Sequence, residues 1–459
     1  MLNRLFHSWL YSFKQTQPVL VLYLLPLVAI VLRFASAPAA GLSYMLLALY
    51  ALFSIPNAIQ ALVLAWFFNS LNPALAPSAL LAIIGLNFVK FSSAFCVFYR
   101  VSLVKMNPKI HKLTLFTLFI GFLLLVHSYF ISRYSMVSIL KVTLWLVIML
   151  TVISAWKNIS REQNKALFKQ YIGFVIFIMM LSLPFMFTGL GYVRNGTGFQ
   201  GVLEQPQEWG PFIAIFVTGA LICILHQVPE NRLFSILVLF LGVAYIFASE
   251  SRTAGFASLL GIGSSVMILY ILYKQPIRAL FPALNKQSYV MGIMLLILLF
   301  IMLTIFDSGL SDLIQNYIAK RGDSSGLIGV YESSRGVLIQ PMLNNIYHHP
   351  FSGIGFGIAS DPGSMEVFRD PFLGLPISAP VEKGVTPIAL LEEVGILVYL
   401  IIAGWFVCLA KEAAKRGVLP LSVLMTAIFL NLGEATFFST NGFGLLLLVI
   451  VGWTLSYES

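Results

Sequence analysis

Two neighbouring runs of apolar residues determine the fold class of this chain. Residues 113–131 read LTLFTLFIGFLLLVHSYFI and carry no acidic or basic residue other than a histidine, and residues 137–155 read VSILKVTLWLVIMLTVISA, in which Lys141 is the single charged side chain. A helix that crosses the hydrocarbon core of a bilayer needs about 20 apolar residues. Both runs therefore predict membrane-spanning helices that are joined by a short turn.

Similar runs occur along most of the chain. They cover residues 18–34, 38–54, 56–71, 77–99, 171–190, 210–226, 233–248, 254–273, 288–306, 386–410, 418–437 and 441–457. Either two or three spans fit between residues 38 and 99, where Lys90 is the single charged residue. The N-terminal basic residues favour a cytoplasmic N-terminus, and hence an even number of spans before residue 100 and fourteen in all, with thirteen as the alternative.

The composition agrees with an all-α polytopic membrane protein. Of the 459 residues 59% are hydrophobic and 10% are charged, and the mean hydropathy is +0.91. The formal net charge of +10 lies mostly in short loops between apolar runs, so nucleic acid is not expected as a partner. The three cysteines lie inside apolar runs, where they act as small hydrophobic residues, so neither a disulfide nor a metal framework is predicted.

The basic residues also predict the orientation in the membrane. One set of alternate loops holds fifteen of them, and the other set of short loops holds three, Arg133, Arg194 and Arg252. Cytoplasmic loops are enriched in Lys and Arg. Residues 100–112, 156–170 and 274–287 are therefore predicted to be cytoplasmic.

Residues 307–385 form a loop that is much longer than the others and lies on the predicted outer side. The sequence thus divides into a transmembrane bundle at 1–306, an extracytoplasmic loop at 307–385 and C-terminal transmembrane helices at 386–459. Glycine and proline are frequent in the loop, which predicts short helices joined by turns. Long loops of this kind are usually functional, and we expect this one to cap the bundle.

Arg252 and Arg335 are candidate anion-binding residues on the predicted outer face. Arg252 lies in the Ser/Thr-rich junction 249–253 ahead of a span, and Arg335 lies in the segment 333–336, Ser-Ser-Arg-Gly, ahead of a predicted helix. A helix start offers backbone N–H groups, and the guanidinium adds a bidentate donor, which suits a phosphate or pyrophosphate. The alternative is that both are interfacial charges paired with lipid headgroups or neighbouring glutamates.

Other charged residues lie on the same face. Arg194 belongs to the polar segment 194–209, Lys383 precedes a span, and four glutamates lie at or just inside the outer ends of the last spans, namely Glu382, Glu392, Glu393 and Glu434. Carboxylates in such places are costly unless they line a hydrated cavity or meet cations. Adjacent helical positions point about 100° apart, so we expect at most one of Glu392 and Glu393 to face a given cavity. Lys90 and Lys141 are interpreted as structural charges.

Four motifs, in this order and on this face, resemble the O-antigen ligase and O-antigen polymerase superfamily. They are the glycine-rich turn at 198–206, SESRTAG at 249–255, the stretch from Arg335 to the His-Pro-Phe-Ser-Gly-Ile-Gly of 349–355, and LLEEVG at 390–395. The resemblance implies a GT-C-type membrane glycosyltransferase with no cofactor and no metal. Its donor would be an oligosaccharide linked to undecaprenyl pyrophosphate, used at the outer face of the bacterial cytoplasmic membrane.

The resemblance also implies roles for residues. Arg252 and Arg335 match two family arginines that would hold the pyrophosphate, with Arg194, Lys383, Glu392, Glu393 and Glu434 as further substrate-binding candidates. The family's histidine falls at 384–385, where this chain has Gly-Val. Glu382 is then the candidate base, although a carboxylate beside basic side chains is a weaker base than imidazole.

The missing histidine favours a polymerase over a ligase that uses lipid A-core as its acceptor. A polymerase of this type would work with a flippase and a chain-length regulator. A transporter or flippase of lipid-linked glycan would also explain the spans, but the sequence shows no paired halves. A non-catalytic scaffold of the cell envelope would leave Arg252 and Arg335 unexplained.

Overall fold

The computed structural model describes residues 24–77, 82–101, 108–226, 232–282, 326–369, 374, 376–379, 381 and 383–457. Within these residues the protein is an all-α polytopic membrane protein. Six of the described helices are long and apolar enough to cross a membrane, and six shorter ones are similarly apolar. The predicted span at 288–306 lies outside the described residues, so the total of thirteen or fourteen spans stays a prediction.

Most helices agree with the predicted runs to within several residues, but the helix Arg161–Ser182 begins ten residues before the run predicted at 171–190. Before the long loop they are α1 (Leu25–Ala35), α2 (Ala37–Ala51), α3 (Ile55–Asn69), α4 (Ala82–Arg100), α5 (Pro108–Ile131), α6 (Ser135–Lys157), α7 (Arg161–Ser182), α8 (Pro206–His226), α9 (Arg232–Ala248), α10 (Arg252–Ile271) and the single turn α11 (Ile277–Leu280). After residue 325 they are α12 (Gly326–His348), α13 (Thr386–Ala414), α14 (Val418–Leu430) and α15 (Phe443–Thr454).

Local sequence signals explain several helix starts. Ser36 and Ser54 have extended backbones, their hydroxyls accept from an N–H in the first turn, and a proline follows two residues later in each case. Proline is favoured in the first helical turn because the N–H it lacks would have no helical partner there. Ser160 and Gln163 form a reciprocal capping box at the start of α7. These signals separate neighbouring spans that periodicity alone would merge.

An aromatic cluster joins several of the helices that surround the candidate site. The ring centroids of Trp145 on α6 and Trp405 on α13 are 5.7 Å apart, and Phe437, before α15, lies 5.9 Å from Trp405. The Trp405 indole donates to the Thr117 hydroxyl of α5 at 3.0 Å. Since the tryptophan rings and Phe437 are fully buried, the cluster fixes the relative positions of α5, α6 and α13 at the centre of the bundle.

The long loop differs from the prediction of short helices joined by turns. Its described part contains the helix α12, 23 residues long, then a 3₁₀ turn at Pro362–Ser364 and two short antiparallel strands, β1 (Phe368–Arg369) and β2 (Pro376–Ser378). Three glycines occur in the first eleven residues of α12 and Pro341 lies inside it, so composition alone does not indicate this helix. Glycine and proline are also dense after His349, where the turns lie. The loop packs on the bundle through α12 against α13 and β2 against α6.

Candidate functional site

A cavity of about 380 Å³ opens where α6, α13 and the segment before α15 begin, and we call this side of the bundle the cavity end. Its lining residues come from α6 (Val137, Leu140, Lys141, Leu144), α13 (Thr386, Ala389, Leu390, Glu393), the segment 435–441 (Ala435, Phe438, Ser439, Thr440, Asn441) and the long loop (Phe356, Gly357, Pro376, Ala379, Val381, Lys383). The charge bias of the sequence predicts that this end faces the outside.

A break in α13 shapes one wall of the cavity. Gly395 has φ 69° and ψ 171° inside the helix, a conformation that is essentially restricted to glycine. The interruption leaves two carbonyl groups of α13 without helical partners, and N–H groups of the long loop bind them instead. The N–H of Ile354 donates to Glu392 O at 3.0 Å, and the N–H of Gly355 donates to Glu393 O at 2.9 Å. In return, the N–H of Ile396 donates to Pro350 O at 2.9 Å. The broken helix and the loop therefore form one unit.

This close approach requires glycine on both sides. A Cβ atom at Gly353 would lie 2.4 Å from the carbonyl oxygen of Glu393, and a Cβ atom at Gly395 would lie 2.1 Å from that of Phe351. Both atoms belong to the backbone, so they cannot move aside as a flexible side chain would. The Gly-Ile-Gly-Phe-Gly stretch is thus a turn that packs on α13.

Lys383 binds two carboxylates at this break. Its Nζ lies 2.6 Å from Glu392 Oε2 and 3.0 Å from Glu393 Oε1, and the three side chains are almost completely buried. Glu392 also accepts from Asn345 Nδ2 at 2.7 Å and from the Ser360 hydroxyl at 3.2 Å. Glu393 lines the cavity whereas Glu392 does not, so Glu392 holds the long loop and Glu393 is the carboxylate exposed to a ligand.

Two more lysines lie near the cavity, Lys141 in its lining and Lys90 behind it. Lys141 Nζ donates to the Gly357 carbonyl at 2.5 Å. Lys90 on α4 is buried, and its Nζ donates to Asn441 Oδ1 at 2.6 Å and contacts the Thr440 hydroxyl at 3.5 Å. Asn441 and Thr440 line the cavity, so Lys90 contacts two side chains of the cavity wall.

Asn431 organises the segment that precedes these lining residues. Its Oδ1 accepts from the N–H groups of Thr436 and Phe437 at 2.9 and 2.8 Å and from the Thr386 hydroxyl at 3.0 Å. The Thr386 hydroxyl also lies 2.9 Å from the carbonyl oxygen of Glu434. One buried amide therefore joins the start of α13 to the segment between α14 and α15.

The two candidate arginines differ in their placement. Arg252 is the first residue of α10, as the sequence predicts, and is partly buried. Arg335 lies nine residues after the start of α12 at Gly326, so the expectation that the Ser-Ser-Arg-Gly segment precedes a helix is wrong. Inside a helix the backbone N–H groups are already bonded, so they add nothing to an anion site at Arg335. Arg252 is not among the residues that line the cavity, and the side chain of Arg335 lies outside what the structure describes.

The remaining candidates are separated. Lys383, Glu392 and Glu393 come together, whereas Arg194 is exposed on the loop before α8 and Glu434 is half-buried beside the start of α13. Neither of these two lines the cavity. Glu382 lies outside the described residues.

Two polar segments that the sequence singled out do meet. The Thr197 hydroxyl donates to Glu250 Oε2 at 3.2 Å, and the N–H of Phe199 donates to Ala248 O at 2.8 Å. The loop before α8 is therefore fixed to the junction that precedes Arg252.

Sequence reasoning missed Lys141, Ser439, Thr440 and Asn441 as cavity residues. A lysine within a membrane-spanning run is a signal of function, and it could have nominated Lys141. For the segment 439–441 no comparable signal exists, because its role depends on contacts with Lys90 on α4, which is remote in sequence.

The comparisons with known proteins agree with the sequence motifs. A family model described as O-antigen ligase matches residues 237–381, less than half of the chain. The matched segment contains SESRTAG, Arg335 and five of the cavity-lining residues, and it excludes the motifs at 198–206 and 390–395. A sequence search of curated proteins finds no match to this chain. The family match confirms that this membrane protein resembles the O-antigen ligase and O-antigen polymerase superfamily.

Proposed function

We propose that the protein is a polysaccharide polymerase of the bacterial cytoplasmic membrane. It transfers a glycan from an undecaprenyl pyrophosphate-linked donor to an acceptor sugar at the outer face, without a metal, on a GT-C-like scaffold. The observation that carries the proposal is that the segment matching the O-antigen ligase family forms part of the wall of the cavity. The cavity's size also falls in the range of about 300–1,000 Å³ typical of small-molecule sites.

The cavity wall has the side chains that glycan transfer needs. Ser439, Thr440 and Asn441 offer hydroxyl and amide groups for sugar hydroxyls, and Lys141 offers an ammonium group. In the transfer, the acceptor hydroxyl oxygen bonds to the anomeric carbon of the donor while the bond from that carbon to the pyrophosphate oxygen breaks. The carrier leaves with the pyrophosphate, and a base takes the hydroxyl proton. Cationic groups stabilise the charge that develops on the leaving group.

The base in this scheme is a carboxylate at the cavity. Glu393 is the described carboxylate that lines it, and Glu382 is adjacent in sequence to Lys383. General-base assistance is typically worth about 10²–10⁴-fold. We expect one of the variants Glu382→Gln and Glu393→Gln to retain donor binding but lower turnover by that factor. Full activity in both variants would remove the carboxylate base from the mechanism.

A polymerase, a ligase and a transporter act differently on a lipid-linked donor, so one assay distinguishes them. Purified protein in detergent receives a synthetic donor, a short glycan on a polyprenyl pyrophosphate, either alone or with lipid A-core. A ladder of glycans from the donor alone supports the polymerase. A single transfer that requires lipid A-core indicates a ligase instead. No transfer, together with movement of the intact donor across proteoliposomes, indicates a transporter and refutes the proposal.

The cellular partners follow from the same proposal. A polymerase at the outer face needs a flippase to deliver each lipid-linked unit, and a chain-length regulator would set the size of its product. The lipid bilayer is a partner of the hydrophobic exterior, on which many large apolar side chains are exposed.

A further inference from the structure

Lys141 differs from the other charged groups that line the cavity. Lys383 is bonded to both Glu392 and Glu393, so its charge is already balanced by carboxylates. Among the described residues no carboxylate oxygen lies within 4.0 Å of Lys141 Nζ. Its ammonium donates to a neutral carbonyl, that of Gly357, and an ammonium has three N–H donors, so others remain for a ligand.

Gly357 holds the lysine stem in place. Its backbone has φ +69°, and a Cβ atom there would lie 2.8 Å from Lys141 Cδ. A larger residue would push the stem away from the loop, so the glycine both accepts from the ammonium and makes room for the side chain. The ammonium is therefore positioned at the cavity wall by the turn of the long loop.

A second donor is oriented on another wall. Lys90 can only donate, so the oxygen of Asn441 faces Lys90, at 2.6 Å. In this orientation the NH₂ group of the Asn441 amide is the end that can donate to a ligand in the cavity, which Asn441 lines. A buried lysine that contacts a cavity asparagine thus fixes which end of the amide a ligand meets.

The net charge of the wall follows from these contacts. Lys141, Lys383 and Glu393 line the cavity, and Glu392 lies behind Lys383. These four charges sum to zero, but both carboxylates are bonded to Lys383, so among the described residues Lys141 is the cation of this set that has no directly bonded carboxylate. The N–H donors of Lys141 that Gly357 does not use would bind an anionic oxygen more strongly than a neutral one.

We propose that Lys141 and the Asn441 amide form an anion subsite that binds a phosphate or carboxylate group of the glycan substrate. The identity of the ligand rests on the proposed function, and the anion has two sources, the pyrophosphate of the lipid carrier or an acidic sugar of the glycan. Gly357 and Lys90 are positioning residues, which act through Lys141 and Asn441 respectively.

Binding of ligands without transfer tests the subsite. The probes are geranylgeranyl pyrophosphate with geranylgeraniol as its uncharged control, and a glucuronate-containing disaccharide with its glucose counterpart. The main variant is Lys141→Gln, whose amide can still donate to Gly357 O but has no charge. We expect this variant to bind one of the two anionic probes about 10- to 100-fold more weakly than the wild type does. Its affinity for both neutral probes should be unchanged.

Further variants separate charge from packing. Lys141→Arg should keep most of the affinity, and Gly357→Ala should lose affinity in the same direction as Lys141→Gln. Lys415→Met, at an exposed surface pair, is the matched control and should have no effect. Weaker binding of the pyrophosphate assigns the subsite to the carrier, and weaker binding of the glucuronate probe assigns it to the glycan.

Two results would overturn the inference. Unchanged affinity of Lys141→Gln for both anionic probes, with lower thermal stability, would make Lys141 a structural anchor of the loop while leaving the proposed function intact. If the wild-type protein binds neither anionic probe, the subsite and the proposed donor fail together. Because these assays contain no acceptor, the first result remains distinct from a failure of glycan transfer.

Discussion

At the scale of single residues, Lys383 is the basic residue of the site that forms ion pairs with two carboxylates. It compensates two buried carboxylates at 2.6 and 3.0 Å. Removing one partner of a buried ion pair typically costs about 3–5 kcal/mol, because it leaves uncompensated charge in the interior. Lys383→Met should therefore lower the free energy of unfolding by about that amount, measured as a lower Tm in detergent.

Lys415 provides a control of the same chemistry in a different environment. Its Nζ lies 2.5 Å from Glu412, but its side chain is 57% exposed. Exposed pairs contribute about 0–1 kcal/mol, so Lys415→Met should change Tm little. Equal losses of stability in the two variants would show that burial of the Lys383 cluster is not what stabilises it.

Arg252 combines a helix start with a guanidinium. Replacing it with Ala should leave insertion and Tm unchanged but reduce glycan transfer by about 10²–10³-fold, the usual cost of losing one donor to a developing charge. Lys should restore only part of the activity, because it lacks the planar fork. Transfer from the synthetic donor measures the effect, with the exposed Arg133 replaced by Ala as the control. Wild-type activity in Arg252→Ala would remove this arginine from the mechanism.

At the scale of elements, the break in α13 depends on one glycine. Ala at position 395 would be strained by its backbone conformation and would place a Cβ atom 2.1 Å from Phe351 O. Such strained backbones cost about 1–3 kcal/mol. We expect Gly395→Ala to release the 350–355 segment from α13, which faster proteolysis in the long loop and a lower Tm would reveal.

Gly404 lies in the same helix and is the natural comparison. It has nothing within 4 Å of an added Cβ atom. Gly to Ala within a helix stabilises by about 0.5–1 kcal/mol, so Gly404→Ala should keep or raise Tm. A fall in Tm of similar size in Gly395→Ala and Gly404→Ala would mean that the loss of stability does not come from the backbone conformation at Gly395.

The elements also show how far sequence reasoning extends. Apolar runs predict most helices because burial in lipid requires a continuous stretch of apolar residues. The helix start expected near Arg335 was wrong, since α12 already begins at Gly326. The contact of Lys383 with Glu393 depends on a broken helix and a remote loop, which no periodicity indicates.

At the scale of the whole molecule, the cavity and the basic loops lie at different ends of the helices. The cavity is lined by the first turns of α6 and α13, whereas the basic residues of 156–170 and 411–416 follow the last turns of the same helices. This arrangement fits a protein that receives substrate on the outer side and has its positive loops in the cytoplasm.

Cysteine labelling tests that orientation. Asp361, on the long loop, and Lys165, near the start of α7, are both exposed, and a cysteine at either position should react once the protein is extracted in detergent. In intact cells a membrane-impermeant maleimide should label Asp361→Cys but not Lys165→Cys, because the bilayer separates the reagent from the cytoplasmic loops. The native Cys96, Cys223 and Cys408 are at least partly buried and are replaced by Ala beforehand to remove background. Labelling of Lys165→Cys alone would invert the topology and place the cavity, with Lys141 and Glu393, on the cytoplasmic side, where an outer-face polymerase could not use it.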